Sequence, residues 1–356
     1  LNYPLVESLQ NKGIMVKYFS SFVRNRTPYY HQNYQIKPNY FYFNNSNKIK
    51  NIIFRRIIKF FSYPFSQLKL LKIILVEKPD IVHFNWLTFP FFDYIFIKFL
   101  QFYNINFVLT QHNYFQHNRT KTKMFEKNIF GICNNILCLS NFVKNQFDVC
   151  LQEKISVIEH GNCFEKEFGN YQNDFQKTDS FKLLFVGSIK PYKGVDLILN
   201  ALELVIKKQR NLKLTIAGAG NKDEVENFRS IIGKNNLRKF VDFNNQFVNY
   251  SKLIDLVANC DVGLLTYKNS TQSSLPYLFS SFKKPLIVTN SGGLSEQVSA
   301  NFAEIVEPNA ESIAKAILKI QKRKIKPSSF DEFLEQNSWQ NTVKKYINLY
   351  RKMADE

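Results

Sequence analysis

The sequence predicts an α/β protein: two doubly wound parallel-sheet domains facing a cleft, with a helix at the C-terminal end. Three observations predict it. Short apolar runs alternate with amphipathic helical patterns over most of the chain, as parallel sheets built from βαβ units do. That alternation is interrupted once, at "NCFEKEFGNYQNDFQKTDS" from Asn162 to Ser180, where apolar periodicity gives way to Asn, Gln and Asp. At 356 residues the chain can bury two cores of ordinary size.

The elements follow in order. Strands are expected at Met15 to Phe19, Ile81 to Phe84, Phe107 to Thr110, Ile136 to Leu139 and Ile155 to Ile158, with helical patterns near Leu68 to Glu77, Phe91 to Tyr103 and Thr120 to Phe130. A second set of strands is expected at Leu183 to Val186, Leu212 to Ile216, Val241 to Phe243, Val262 to Leu265 and Leu286 to Thr289. After Pro327 the pattern is helical again. The domains are then 1–161, a linker at 162–180, a second domain at 181–326 and a helical segment at 327–356.

Composition narrows the class. With 45% hydrophobic and 22% charged residues the chain is globular rather than disordered. Its five cysteines, Cys133, Cys138, Cys150, Cys163 and Cys260, are odd in number and show neither C-x-x-C pairs nor metal-ligand spacing, so they read as reduced thiols of a cytoplasmic protein. No apolar run approaches the roughly 20 residues of a membrane span; "FFDYIFIKFLQF" from Phe91 is short and broken by Asp93 and Lys98. No secretory signal pattern is visible, and the sequence opens on Leu1.

The net charge of +19 is unevenly placed. From Ser8 to Val76 there are twelve Lys and Arg and no Asp or Glu. Within that stretch "NIIFRRIIKFFSYPF" from Asn51 interleaves Ile and Phe with Arg55, Arg56 and Lys59, the composition of a basic helix on an anionic membrane surface. A solvated basic face has the same composition. Nucleic acid would satisfy the charge too, but no zinc-finger or aromatic RNA-binding pattern accompanies it, so none is expected as a partner.

Candidate site residues cluster where strands end. In "FKLLFVGSIKPYKGVDLILNALELVIKK" from Phe181, Gly187 ends the strand, and Lys190, Lys193 and Gly194 precede a helix whose apolar face is Val195, Ile198, Leu199, Leu202, Val205 and Ile206. A turn there suits an anion, a diphosphate above all, because ligands bind outside strand carboxyl ends and a helix start carries unpaired amide donors. Solvated surface lysines would look alike. "YKNSTQSSLPYLF" from Tyr267 offers Ser270, Thr271, Gln272, Ser273 and Ser274 after a strand, either for phosphate or as a helix cap. "TNSGGLSEQV" from Thr289 places Gly292 and Gly293 where backbone can approach a ligand, or where a turn is needed. In the first domain, His112 and His117 follow one strand, and His160 and Gly161 another, on the cleft side; a structural hydrogen-bonding role is the plainer reading of each histidine. No metal site is expected.

These residues resemble the group 1, or family 4, retaining glycosyltransferases, which have the GT-B fold of two Rossmann-like domains. "FVGSIKPYKGVDLILNAL" is similar to that family's strand, loop and helix with its phosphate-contacting lysine. "CDVGLLTYKNSTQSSLPYLFSSFKKPLIVTNSGGLSEQV" is similar to its donor-holding stretch, and "IVHFNW", "TQHNYFQH", "LCLSNFV" and "VIEHGN" fit its order. The resemblance implies that Lys193 stabilises the donor diphosphate with Lys190 nearby, and that His112 reaches the reacting centre. It further implies that Phe247 and Val248 in "FVNYSKL" pack on the nucleotide base.

The sequence departs from the family in places. Ser188 stands where many members carry a basic residue, and Ser270 and Leu278 where most carry paired glutamates. The loop is closer to a subgroup with Thr-Gln-Ser-Gly, with Ser274 in place of the glycine. Leu1 to Gly13 resembles the helix after the family's first strand, so that strand is expected to be missing from the sequence given.

The resemblance implies a metal-independent hexosyltransferase-type enzyme that uses a nucleotide-diphosphate sugar as donor substrate, with no cofactor. It would act with retention on a carbohydrate or lipid-linked acceptor in cell-surface polysaccharide or glycolipid synthesis. The basic, aromatic face from Asn51 to Phe65, not the resemblance, is what suggests a cytoplasmic protein peripheral at the inner face of the plasma membrane. A catalytically silent nucleotide-sugar-binding protein or partner subunit is the alternative.

Overall fold

The computed structural model describes residues 3–19, 51–114, 123–164 and 180–355. They form two compact units: Leu1–Leu139 with Val143–Gly161 and Trp339–Glu356, and Ser140–Phe142 with Asn162–Ser338. The expected linker falls mostly, and His117 wholly, outside the described residues.

The first unit holds a four-stranded parallel sheet in chain order: β1 (Ile81–Phe84), β2 (Asn106–Gln111), β3 (Asn135–Cys138) and β4 (Ile155–Val157). No reversal of strand order occurs among its described strands. Among the described residues, α1 (Tyr3–Gln10), α2 (Ile52–Glu77), α3 (Pro90–Phe102) and α4 (Lys123–Ile132) precede or connect them, with a short helix at Asn141–Lys144 between β3 and β4. Consecutive residues of β2, Phe107, Val108 and Leu109, are all buried, as in a sheet covered on both faces.

One expected strand does not form. Met15 to Phe19 alternates, with Met15 and Lys17 exposed and Val16 and Tyr18 partly covered, yet it makes no strand ladder among the described residues. A period of two puts the right side chains on the right face but does not supply a partner strand.

Helix α2 joins what the sequence divides into a basic stretch and a separate helix from Leu68, and it runs through Pro64. Asn51 caps it by accepting the amides of Ile53 and Phe54 at 2.9 and 3.2 Å. Asp93 is the buried lock between α2 and α3. Its carboxylate accepts the Tyr63 hydroxyl, the Gln67 amide at 3.0 Å and the Phe89 backbone amide at 2.9 Å, the satisfied pairing that a buried charge requires.

The second unit carries six parallel strands: β5 (Phe181–Val186), β6 (Leu212–Ala217), β7 (Val241–Asn244), β8 (Val262–Leu265), β9 (Leu286–Thr289) and β10 (Ala303–Val306). Their order is β10-β9-β8-β5-β6-β7. Connections from β5 therefore run one way to β6 and the chain later crosses back to β8, which makes the β5/β8 edge the topological switch point of a doubly wound sheet. Helices α5 (Val195–Ile206), α6 (Lys222–Lys234), α7 (Tyr250–Ala258), α8 (Leu275–Ser281), α9 (Ala310–Ile320) and α10 (Pro327–Gln336) cover it. Strand β10 escapes the sequence reading because Glu304 interrupts it; that carboxylate is buried between Lys319 at 2.7 Å and Arg323 at 2.8 Å.

The C-terminal segment divides at residue 338. Phe330 and Phe333 of α10 belong to the second core, whereas α11 (Trp339–Asp355) packs in the first unit. Trp339, Val343, Tyr346 and Met353, at helical spacing, bury against Leu5, Leu9, Val108 and Leu137.

Candidate active site

In the second unit the switch point is built by backbone crossings. After β5, Gly187 has φ +131° and its amide donates to Ala217 O at 3.0 Å, which turns the chain away from the sheet. Pro191–Lys193 form one 3-10 turn, and Gly194, at φ +68°, starts α5. A side chain at Gly194 would run into the carbonyl oxygen of Thr266. Thr266 is wholly buried and its hydroxyl donates to the carbonyls of Lys193 at 3.4 Å and Gly194 at 3.3 Å. Lys268 completes the staple: its amide donates to Tyr192 O at 2.6 Å and its ammonium pairs with Asp196 at 2.6 Å.

This fixes Lys193. Its ammonium donates to the Tyr267 hydroxyl at 3.3 Å and lies 4.8 Å from that ring's centre. A Cβ at Gly187 would lie 3.2 Å from the ammonium, so glycine leaves it room. Burial pulls the Lys193 pKa below the ordinary lysine value, with neighbouring Lys190 adding to the effect and Tyr192 opposing it. Burial also pushes Tyr267 up to about 12, which keeps its hydroxyl protonated. Tyr267 is thus the residue on which Lys193 rests. Sequence reading passed over it because an aromatic after a strand usually signals core.

The neighbouring loops are tied to the same place. Ser291 Oγ and Thr289 Oγ1 donate to Tyr267 O, the latter at 2.6 Å, and the Gly293 amide donates to Ser270 O at 2.8 Å. Gly292, at φ +68°, has no room for a Cβ against the Ser270 carbonyl. Part of the donor set expected from Ser270 to Ser274 is spent internally: the Ser273 amide donates to buried Gln297 at 2.7 Å, and Ser270 Oγ to Gln272 O at 3.2 Å. Lys190 and Ser188 are exposed beside the turn. Phe247 is exposed, whereas Val248 leans on the core before Asn249 caps α7.

In the first unit, His112 follows β2 and is buried, with its ring stacked on Trp86 at 4.1 Å between centroids and 7° between planes. Burial first and nearby His160 second, against a hydrogen bond with the Asn85 backbone, lower its pKa to about 4. His112 is therefore a neutral ring at physiological pH, able to accept a proton. Trp86, 55% exposed, was another residue the sequence reading did not single out as a site residue. His160 Nδ1 lies 2.7 Å from Gly161 O, and burial lowers its pKa. Gly161 lies against the Trp339 ring, whose carbons would be 2.6–2.9 Å from an added Cβ. Among the described residues no group of three or more His, Cys, Asp or Glu is placed to hold a metal.

The family described as Glycosyltransferase Family 4 matches residues 3–162, and that described as Glycosyl transferases group 1 matches residues 169–336. Glycosyltransferase family domains thus match both halves of the chain. Two uncharacterized glycosyltransferases of Methanocaldococcus jannaschii are similar to it. One is 27% identical over 67% of this chain and 65% of its own length; the other is 24% identical over 56% and 54%. The match thus spans less than two thirds of these curated relatives.

Solved structures share the GT-B fold. A glycosyltransferase from Rickettsia africae aligns with a TM-score of 0.65 at 21% identity, over 85% of this chain and 82% of that one. HepE of Anabaena, in complex with UDP, aligns at 0.63 and 12% identity over 81% and 82%. A trehalose-6-phosphate synthase, OtsA, aligns at 0.65 and 13% over 86% and 79%.

Proposed function

We propose that this glycosyltransferase moves a sugar from a nucleotide-diphosphate sugar, with retention, to a carbohydrate or lipid-linked acceptor in cell-surface polysaccharide or glycolipid synthesis. The observation that carries the donor half is the ammonium of Lys193, held against Tyr267 at the switch point of the second unit's sheet. As the glycosidic bond breaks, negative charge develops on the departing diphosphate. A cation already oriented and partly desolvated stabilises that charge without reorganising, so it acts on the transition state more than on the bound donor. Lys190 adds a second positive charge, and the Thr271–Ser273 and Ser291–Gly293 turns supply shape. No metal is needed for charge neutralisation in this reading. Phe247 and Val248 take the base. HepE in complex with UDP, which shares the fold, supports a nucleoside diphosphate as the ligand class. The first unit would hold the acceptor and present His112, neutral on Trp86, which the resemblance implies reaches the donor sugar and the reacting centre.

The test is a thermal-shift screen of the full chain and of Lys193→Ala against uridine, guanosine, adenosine and thymidine diphosphates and their sugars. A ligand at ~100 times its dissociation constant stabilises by about 2.7 kcal/mol. One nucleotide family should raise the melting temperature of the wild type and fail to raise that of the variant. A wild type unmoved by all of them refutes the reading.

A second reading, of a silent sugar-nucleotide binder, is favoured by one observation. Ser270 and Leu278 occupy the places of the family's paired glutamates, and both are buried, Leu278 completely. Binding without donor hydrolysis or transfer, by NMR of the anomeric proton, would select it.

A further inference from the structure

We infer that helices α2 and α3 of the first unit form one docking face for an anionic lipid surface. Among the exposed large apolar residues of α2, Ile53, Phe54, Ile57, Phe60, Phe61, Phe65 and Leu68 recur at three- and four-residue spacing. At roughly 100° per residue they cover an arc of roughly 140°. Ser62, Tyr63, Ser66 and Gln67 fall on the opposite side and are buried. Helix α3 repeats the arrangement. Phe91, Ile95, Phe99 and Phe102 line one exposed side, while Asp93, Phe96, Ile97 and Leu100 are buried.

The two stripes are continuous. Ring contacts run from Phe61 to Phe60 at 5.5 Å, Phe60 to Phe92 at 5.3 Å, Phe92 to Phe91 at 5.4 Å, and Phe91 to Phe125 of α4 at 5.3 Å. Scattered surface apolar residues call for no explanation, but a connected patch with residues as open as Phe61 at 67%, Phe65 at 68% and Phe102 at 78% does.

Charge selects the occupant. Exposed Lys72 and Lys98 sit within the two stripes and Arg56 and Lys69 flank them; the sequence from Ser8 to Val76 has twelve basic residues and no acidic one. A bilayer interface offers phosphate-bearing headgroups directly beside acyl chains. Long basic side chains reach the former while the rings enter the latter. No helix of the described residues is long and apolar enough to cross a membrane, so contact would be along the surface. This inference does not depend on sugar transfer, because vesicle binding is read without substrate.

The experiment is flotation of the full chain with phosphatidylcholine vesicles and with mixed phosphatidylcholine and phosphatidylglycerol vesicles. Binding to the mixed vesicles should exceed binding to the neutral ones and should fall in about 0.5 M salt. Lys72→Glu with Lys98→Glu should weaken it about tenfold or more, and Phe61→Ser with Phe65→Ser should abolish it, each at an unchanged melting temperature. Should the serine pair impair folding, the two exposed lysines decide alone. Failure to float with either vesicle overturns the inference, as does equal binding to both. So does a concentration-dependent dimer that the same substitutions dissolve, which would assign the face to a second copy of the chain.

Discussion

Lys193 in the second unit and His112 in the first each set a titratable group against one aromatic ring, and they are built in different ways. Lys193 is placed by backbone. Gly187, Gly194 and Gly292 sit at positive φ, and at Gly194 and Gly292 the loops cross so closely that carbonyls fill the space where Cβ atoms would be. His112 is placed by a side chain, since a half-exposed indole lies parallel to its ring. Backbone crossings fix a position rigidly and reappear wherever the strand order does. A stacked side chain can be exchanged without altering the fold. The first unit's site should therefore be the more adjustable.

The largest effect should fall on the rigid side. Lys193→Ala is expected to lower kcat about 100- to 1,000-fold, the range for loss of one preorganised charge partner, with stability unchanged or slightly raised because the amine is charged at a desolvation cost. Tyr267→Phe keeps the ring and removes the hydroxyl that accepts from Lys193. It should cost a smaller factor in kcat with little change in KM. A loss of stability with kcat and KM unchanged would make Tyr267 a core residue and nothing more.

The next effect tests the neutral rings of the first unit. His83, bonded to Tyr350 and Thr110 at 2.6 and 2.7 Å, is lowered to about 4 by burial first and by His112 second, and His112 is lowered to about 4 as well. Each folded-state value lies below the unfolded value of 6.5, so unfolding takes up protons in the window between them. Stability is full above pH 6.5 and falls as pH drops towards 4, by about 3 kcal/mol per ring. Urea titrations should show this slope, and His83→Gln should reduce it by about half. A flat profile would mean that the rings are not held neutral.

Much of this was legible beforehand. The expected strands at Ile81–Phe84, Val262–Leu265 and Leu286–Thr289 have the observed bounds, because apolar runs ended by polar residues leave little latitude. Lys193 could be placed too, since a strand end followed by a helix start fixes what lies between. What was hidden depended on partners distant in sequence. Glu304 reads as a strand breaker until Lys319 and Arg323 pair with it, and Met15–Phe19 reads as a strand although it has no ladder among the described residues. Tyr267 and Trp86 look like ordinary aromatic residues until the ring each supports comes into view. The return of α11 to the first unit has no local sequence signal, because an amphipathic helix does not name the core it covers.

A pair of glycines sharpens the contrast between backbone and side-chain construction. Gly194→Ala combines an unfavourable left-handed φ with a collision against the Thr266 carbonyl, and should destabilise by about 2 kcal/mol or more. At Gly161 the φ is ordinary and the obstacle is the Trp339 ring, a side chain that can give way. Gly161→Ala should cost less, and pairing it with Trp339→Leu should recover part of the loss. No replacement should rescue Gly194→Ala.

The smallest effect on stability, and the most telling for the first unit, is expected at Trp86. More than half exposed, it contributes modestly to folding, and Trp86→Ala should cost about 1 kcal/mol. Removing the indole would admit water to one face of His112, whose lowered pKa rests chiefly on burial. The ring should then titrate closer to 6.5, visible by NMR of its carbon-bound protons. If transfer requires neutral His112, the acidic limb of the rate profile should move upward by the same amount. Trp86→Phe, which can still stack, should restore most of the original position. An unchanged His112 titration in Trp86→Ala would mean that the rest of its pocket sets the pKa, and the proposed contrast with the second unit would then rest on geometry alone.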